Sequence, residues 1–222
     1  QNAQDDSSTD FKYHKRRIRE ISDDGIRQRG TGRGKMQIPE KDDSVVFSLN
    51  AKGIRLTGAG KYGEAIALFD KAIAAKPGLS GLYFNRAEAR RLSGDLPGAR
   101  SDLEQALAIV PGDPEFLHAL GLVSYEEDDF EGAAGFYRGA LDIDPGLAKA
   151  WNDLGVVNFR KGAFSNAKDC FTRATEEDTA MAEAWFNLAD TCEELGLKSE
   201  RRAALEGLQK AQALPGGGEA LE

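Results

Sequence analysis

PEFLHALGLVSYEEDDFEGAAGFYRGALDIDPGL, residues 114–147, runs directly into AKAWNDLGVVNFRKGAFSNAKDCFTRATEEDTAM, residues 148–181. Aligned, the two share glycine at the eighth place (Gly121, Gly155), phenylalanine at the seventeenth (Phe130, Phe164), alanine at the twentieth (Ala133, Ala167) and an aromatic at the twenty-fourth (Tyr137, Phe171). Alanine recurs at the twenty-seventh (Ala140, Ala174). The frame extends in both directions at 34 residues without insertion or deletion, with units starting at Val46, Ser80, Pro114, Ala148 and Ala182. The fourth place holds Leu49, Tyr83, Leu117, Trp151 and Trp185, and Pro77, Pro111 and Pro145 stand near the ends of the first three units. A period of this length marks a repeat architecture whose unit is one supersecondary element.

Each unit reads as two helices of roughly 12 to 14 residues, with a turn at Gly60, Gly94, Asp128, Gly162 or Gly196. Glycine ends a helix cheaply, and proline prevents the second helix from continuing. Small residues at places eight and twenty let the paired helices approach. Large ones at four, seventeen and twenty-four are expected to fill the space between a hairpin and its neighbour, so that stacked hairpins bury a core no single one could. The pattern resembles the tetratricopeptide repeat (TPR), five copies of it from Val46 to Pro215. The resemblance implies an all-α, right-handed solenoid that binds other proteins and performs no catalysis. The domain reading is an N-terminal arm at 1–45, repeats at 46–79, 80–113, 114–147, 148–181 and 182–215, and a disordered tail at 216–222. In the fifth repeat Lys198 and Arg201 replace the usual apolar residues, which reads as a capping helix with a polar outer face that keeps Leu205, Leu208 and Leu214 for packing.

The first 45 residues are polar and rich in glycine, and read as largely disordered apart from a short helix around Tyr13 to Ile21. From Phe11 to Lys35 nine cations, Lys12, Lys15, Arg16, Arg17 and Arg19 among them, face three acids. That segment is therefore +6 in a chain of net charge −8, and the rest carries −14. The asymmetry suggests an interaction tail or an arm that folds back on an acidic surface. The overall negative charge argues against general nucleic-acid affinity, and no stretch approaches the apolar length of a membrane helix. The polar start QNAQDDSSTD leans the reading towards an exported, periplasmic location, with a cytoplasmic one as the alternative.

The resemblance also implies that places two, five, nine and twelve of each unit line a concave groove. Its candidate partner-binding residues are Phe47, Asn50 and Ile54 from the first unit, then Phe84, Glu88 and Arg91 from the second. The third and fourth give His118, Leu122, Tyr125, Lys149, Asn152, Val156, Phe159 and the neighbouring Arg160, and the fifth Phe186. Phe84, Leu122, Tyr125, Val156, Phe159 and Phe186 are expected to form a contiguous apolar strip. Family members that grip chaperone tails do so with cationic and asparagine side chains. Here Asn50, Glu115 and Ala119 hold the cationic places, so that mode is not expected.

A search for catalysis or cofactors finds nothing to build on. His14 and His118 have no second ligand at metal spacing, and Cys170 and Cys192 have neither redox nor zinc spacing. The run EEDDFE at 126–131 lacks the alternation of a calcium loop. GTGRGK at 30–35 departs from a phosphate loop at Arg29 and Met36. No cofactor is expected. The function expected is to hold another protein or peptide in the groove. The alternatives are self-assembly, in which the groove takes the chain's own or a neighbour's N-terminal arm, and binding of nucleic acid or an anionic membrane through that arm.

Overall fold

The computed structural model describes residues 41–213. The basic cluster at Lys12, Lys15, Arg16, Arg17 and Arg19, the short helix expected near Tyr13, and Leu214 with the tail after it all lie outside the described residues. Ten helices follow one another, and among the described residues there is no strand. They are α1 (Lys41–Gly58), α2 (Tyr62–Ala75), α3 (Ser80–Leu92), α4 (Leu96–Ile109) and α5 (Pro114–Glu126). Then come α6 (Phe130–Ile143), α7 (Ala148–Arg160), α8 (Phe164–Glu177), α9 (Ala182–Glu194) and α10 (Lys198–Ala213). Two compact units divide within α4, between Asp102 and Leu103.

Helix starts and stops follow the expected local chemistry. Asp113 caps α5 by accepting from the amides of Glu115 (2.9 Å) and Phe116 (3.3 Å), and Asp129 caps α6 by accepting from Gly132 (2.9 Å). The turns inside the hairpins adopt positive φ at Gly60, Gly94, Gly162 and Gly196, and Asp128 takes the same conformation at φ 60°. This left-handed conformation costs a side-chain-bearing residue energy, though Asp tolerates it better than most.

In the first unit α1 pairs with α2, and α3 packs on both. Phe69, fully buried, lies with Ala65 and Ala89, while Val46, Ala72 and Leu82 form a second cluster. Helix α1 begins at Lys41, so residues 41–45 belong to it and not to a disordered arm. Asp43 stands in its first turn, where an acid suits the positive end of the helix. Asp43 also pairs with Lys76 at 2.8 Å, tying the turn to the end of α2.

In the second unit the hairpins α5–α6, α7–α8 and α9–α10 stack in order. Tyr137, Leu154 and Val157 centre one core cluster, and Phe171, Leu188 and Cys192 centre the next. The indole of Trp151 donates to the Pro145 carbonyl (2.8 Å) and that of Trp185 to the Thr179 carbonyl (3.0 Å). Each fourth-place tryptophan therefore fastens its repeat to the connection that precedes it.

Two packing expectations need amending. The ring at place twenty-four does meet the next hairpin, Phe69 at Ala89, Tyr137 at Leu154 and Val157, and Phe171 at Leu188 and Cys192, but it also lies over the small residue at place eight of its own hairpin. A Cβ added at Gly53 would lie 2.6 Å from the Phe69 ring, and one at Gly155 2.6 Å from the Phe171 ring. At Gly121 it would strike Tyr137. The sequence covaries accordingly: aromatics at twenty-four accompany glycine at eight, whereas Leu103 and Leu205 accompany Ala87 and Ala189. The second correction concerns the last helix, where Leu208 is buried but Leu205 is 40% exposed. There the Trp185 ring lies across α10 at Gly207, where a Cβ would come within 2.6 Å of the indole, and it takes the packing role that Leu205 was expected to share.

Candidate functional site

The candidate groove residues lie on the first helices of the hairpins, on α1 and α3 in one unit and on α5, α7 and α9 in the other. Within the first unit, Phe47 is exposed at 39%, whereas Ile54 packs on the Phe69 cluster and Phe84 is half-buried. Phe47 and Asn50 line a cavity of about 230 Å³ together with Asp43, Val46, Lys76, Leu79 and Leu82. Arg91 is buried, and its guanidinium grips Glu88 through two bonds of 3.0 and 2.8 Å. These two are held by each other and are not open handles for a partner. The strongest charge cluster of this unit lies elsewhere, around Asp102, which is 2% exposed and accepts from Arg86 (2.9 and 2.6 Å) and Arg90 (2.9 Å).

In the second unit, Leu122 and Tyr125 lean on the Tyr137 cluster, and Val156 and Phe159 lean on the Phe171 cluster. Tyr125 meets Phe130 edge-on at 5.4 Å, Phe159 meets Phe164 likewise at 5.1 Å, and Arg160 covers the Tyr125 ring at 5.6 Å. Lys149 is half-buried. The expected open strip is thus a seam of half-buried side chains in each unit, and of its six members only Phe186, at 37%, is classed as exposed. For Tyr125 and Phe159 the reason is the pairing of places twelve and seventeen, where an aromatic on the first helix of a hairpin rests on one from the second.

Within each unit a polar row replaces the strip as the main feature. The Asn85 amide donates to Asn50 Oδ1 (2.9 Å), His118 Nε2 bonds Asp153 Oδ2 (2.7 Å), and the Asn187 amide donates to Asn152 Oδ1 (2.9 Å). All three join the fifth place of one repeat to the sixth place of the next, 35 residues on. His118 is 4% exposed and Asn152 2%, and Asn152 also donates to Glu183 Oε1 at 3.0 Å. His118 and Asn152 are therefore internal ties whose polar atoms are largely spoken for. Sequence reasoning left Asp153, Asn85 and Asn187 out of the candidate set. The available signal was a polar residue at place five recurring with one at place six a repeat later.

Among the described residues no group of three or more His, Cys, Asp or Glu side chains is placed to hold a metal ion. Both cysteines are buried, and burial is the main cause pushing their thiols above the usual range. No described helix is long and apolar enough to cross a membrane.

Stacked helical hairpins with a pre-tied face on their first helices define a helical-repeat scaffold. Family models described as "Tetratricopeptide repeat" match residues 56–123 and 152–217, and the chain belongs to the tetratricopeptide-repeat family. It is 42% identical over 65 residues to tetratricopeptide repeat protein 36 of Mus musculus, which covers 29% of this chain and 35% of that relative. The chain therefore spans only about a third of that relative's length. Among solved structures it resembles pilF of Pseudomonas aeruginosa, with a TM-score of 0.70 at 16% identity over 79% of this chain and 80% of that one. It also resembles the first TPR of Spaghetti (RPAP3) bound to the HSP90 peptide SRMEEVD, with a TM-score of 0.50 at 26% identity over 54% of this chain and 94% of that one. The fold class is that of the TPR solenoids.

Proposed function

We propose that the chain is a protein-interaction scaffold that holds an extended segment of another protein against the first helices of its repeats, by recognition without chemistry. The polar row carries this reading. Buried amide and imidazole groups bonded from repeat to repeat fix the spacing of consecutive first helices, and a surface fixed in advance loses less freedom when it binds. Phe47 in the first unit and Phe186 in the second each stand exposed on a first helix, where a partner's side chains can meet them. Membership of the family supports the reading, as does the likeness to a repeat domain solved with a peptide.

Charge selects the class of partner. On the candidate face of the second unit, Glu115, Asp153, Glu183, Asp190 and Glu193 outnumber Lys149 and Arg160. A basic segment is favoured, and an acidic one such as SRMEEVD is disfavoured. The test is an array of 15-residue peptides graded in charge, probed with the full chain and followed by calorimetry on the best binders. Phe186→Ala is expected to weaken the best peptide by about tenfold with helicity unchanged, as loss of an aromatic anchor does. Equal affinity for the variant and the native chain would refute the assignment of this face.

A further inference from the structure

The tie between Asn152 and Asn187 in the second unit has a counterpart in the first, between Asn50 and Asn85, at the same two places of the repeat. In each pair the first amide accepts from the second at 2.9 Å. The pairs differ in what the first amide donates to. The Asn152 nitrogen donates to Glu183 Oε1 at 3.0 Å and to Asp153 Oδ1 at 3.3 Å. The same places three repeats earlier hold Gly81 and Ala51, neither of which has a side-chain acceptor. A Cβ added at Gly81 would meet nothing within 4 Å. Among the described residues the Asn50 nitrogen accordingly has no acceptor.

Asn50 also lines the cavity of about 230 Å³, whose apolar walls are Val46, Phe47, Leu79 and Leu82. Asp43 and Lys76, the charged residues of the lining, are paired with each other at 2.8 Å. A space of this size takes a single side chain and not a cofactor. Residues 41–102 carry ten basic and seven acidic side chains, a net +3, whereas residues 103–213 carry ten and twenty-one, a net −11. The first unit therefore favours an acidic ligand, the opposite of the second. We propose that the cavity and the Asn50 nitrogen form a subsite for a partner segment in which an apolar side chain stands next to a glutamate or aspartate. The apolar side chain fills the cavity, and the carboxylate accepts from Asn50 as Glu183 does from Asn152. A charged acceptor makes such a bond about twice as strong as a neutral one. The inference rests on the reading of the first-helix face as a docking surface, and it adds an anchor and a charge preference within the first unit.

The experiment titrates the isotopically labelled full chain with 15-residue peptides and follows the Asn side-chain amides and the backbone amides by NMR. Both peptide ends are blocked, so that no terminal carboxylate takes part. The probes carry a central Leu-Glu or Glu-Leu in a Gly-Ser background, and the tighter of the two orders is taken further. Shifts are expected at the Asn50 side chain, Phe47 and Leu82. Replacing the peptide leucine by alanine should weaken binding by about tenfold, and replacing its glutamate by glutamine by about threefold. The decisive variant is Gly81→Glu, which returns to the first unit the carboxylate that the second possesses and removes no existing contact. A tethered carboxylate competes at an effective concentration of the order of millimolar or higher, so the peptide should bind about fivefold or more weaker. Gly81→Ala, which adds no acceptor, should bind as the native chain does. Glutamine and glutamate peptides of equal affinity, Gly81→Glu binding as the native chain does, or shifts confined to other surfaces would overturn the proposal. So would shifts at Asn50 that grow with the chain's own concentration in the absence of peptide, which would make a second copy the occupant. Basic peptides in the same series separate this outcome from failure of the wider reading. If they bind on α9 while none of the acidic probes binds at Asn50, the subsite alone is overturned, and if neither class binds, the docking face falls with it.

Discussion

Gly121→Ala sets two effects of known sign against each other. In an exposed helix interior the change stabilises by about 0.5 to 1 kcal/mol, because alanine loses less backbone freedom on folding. At residue 121 the new methyl would lie 2.6 Å from Tyr137 Cδ1, where carbon atoms need about 3.5 Å. The Tyr137 ring is 1% exposed, belongs to a core cluster and stands 5.5 Å from the His118 ring, so it has no free space to retreat into. Overpacking of this kind costs about 1 to 3 kcal/mol. The net expectation is destabilisation by about 1 to 2 kcal/mol, or a fall of some 2 to 8 °C in melting temperature for a domain of this size. Gly135→Ala, on the exposed face of α6 with nothing within 4 Å of the added atom, should instead stabilise by about 0.5 to 1 kcal/mol. Adding Tyr137→Leu to Gly121→Ala reproduces the alanine and leucine found at these places in the second and fifth repeats, and should cost less than the sum of the two single changes. Urea unfolding followed by circular dichroism on the four variants gives the cycle. Stabilisation by Gly121→Ala, or strict additivity with Tyr137→Leu, would refute the account of why glycine accompanies an aromatic ring.

Asp102→Ala should destabilise the chain by about 3 kcal/mol in the same assay, because it leaves the guanidinium groups of Arg86 and Arg90 without their buried acceptor. Asn152→Ala breaks its bonds to Asn187 and Glu183, and a loss of about 1 to 3 kcal/mol is expected, whereas Arg202→Ala at a side chain 84% exposed should stay within about 0.5 kcal/mol. Asp128→Gly relieves the one non-glycine turn at positive φ among the described residues and should raise the melting temperature by about 1 to 4 °C. Because burial keeps the thiols of Cys170 and Cys192 protonated, both should react with a thiol reagent at pH 8 many-fold more slowly in the native chain than in urea. Rapid native labelling of both would contradict their placement.

The hairpins were legible because their determinants recur at fixed offsets: small residues at eight and twenty, a turn glycine, a closing proline. The small residue at eight recurs in all five units, that at twenty and the turn glycine in four each, and the proline in three, so chance agreement is excluded. The start of α1 at Lys41 was not legible, since it precedes the first repeat unit and the Asp43–Lys76 ion pair beside it follows no periodicity. The candidate site was read only in outline. Places two, five, nine and twelve do fall on first helices, but whether a side chain there is open depends on its neighbour one hairpin partner or one repeat away. Tyr125 and Phe159 lie against aromatics at place seventeen, and His118 and Asn152 face polar residues 35 positions on. Phe186 and Asp190 stay open, and α9 is followed only by the hairpin helix α10 within the described residues.

The indole bonds of Trp151 and Trp185 make the chain its own spectroscopic probe. They are its only tryptophans, and each rests over the connection to the preceding repeat, one before α7 and one before α9. Tryptophan fluorescence, excited at a wavelength that tyrosine does not absorb, therefore reports the opening of those two connections and is silent about the first two repeats. Circular dichroism counts all the helices. If a solenoid of this kind loosens from one end, the two signals part company, and the order in which they change names the end that opens first.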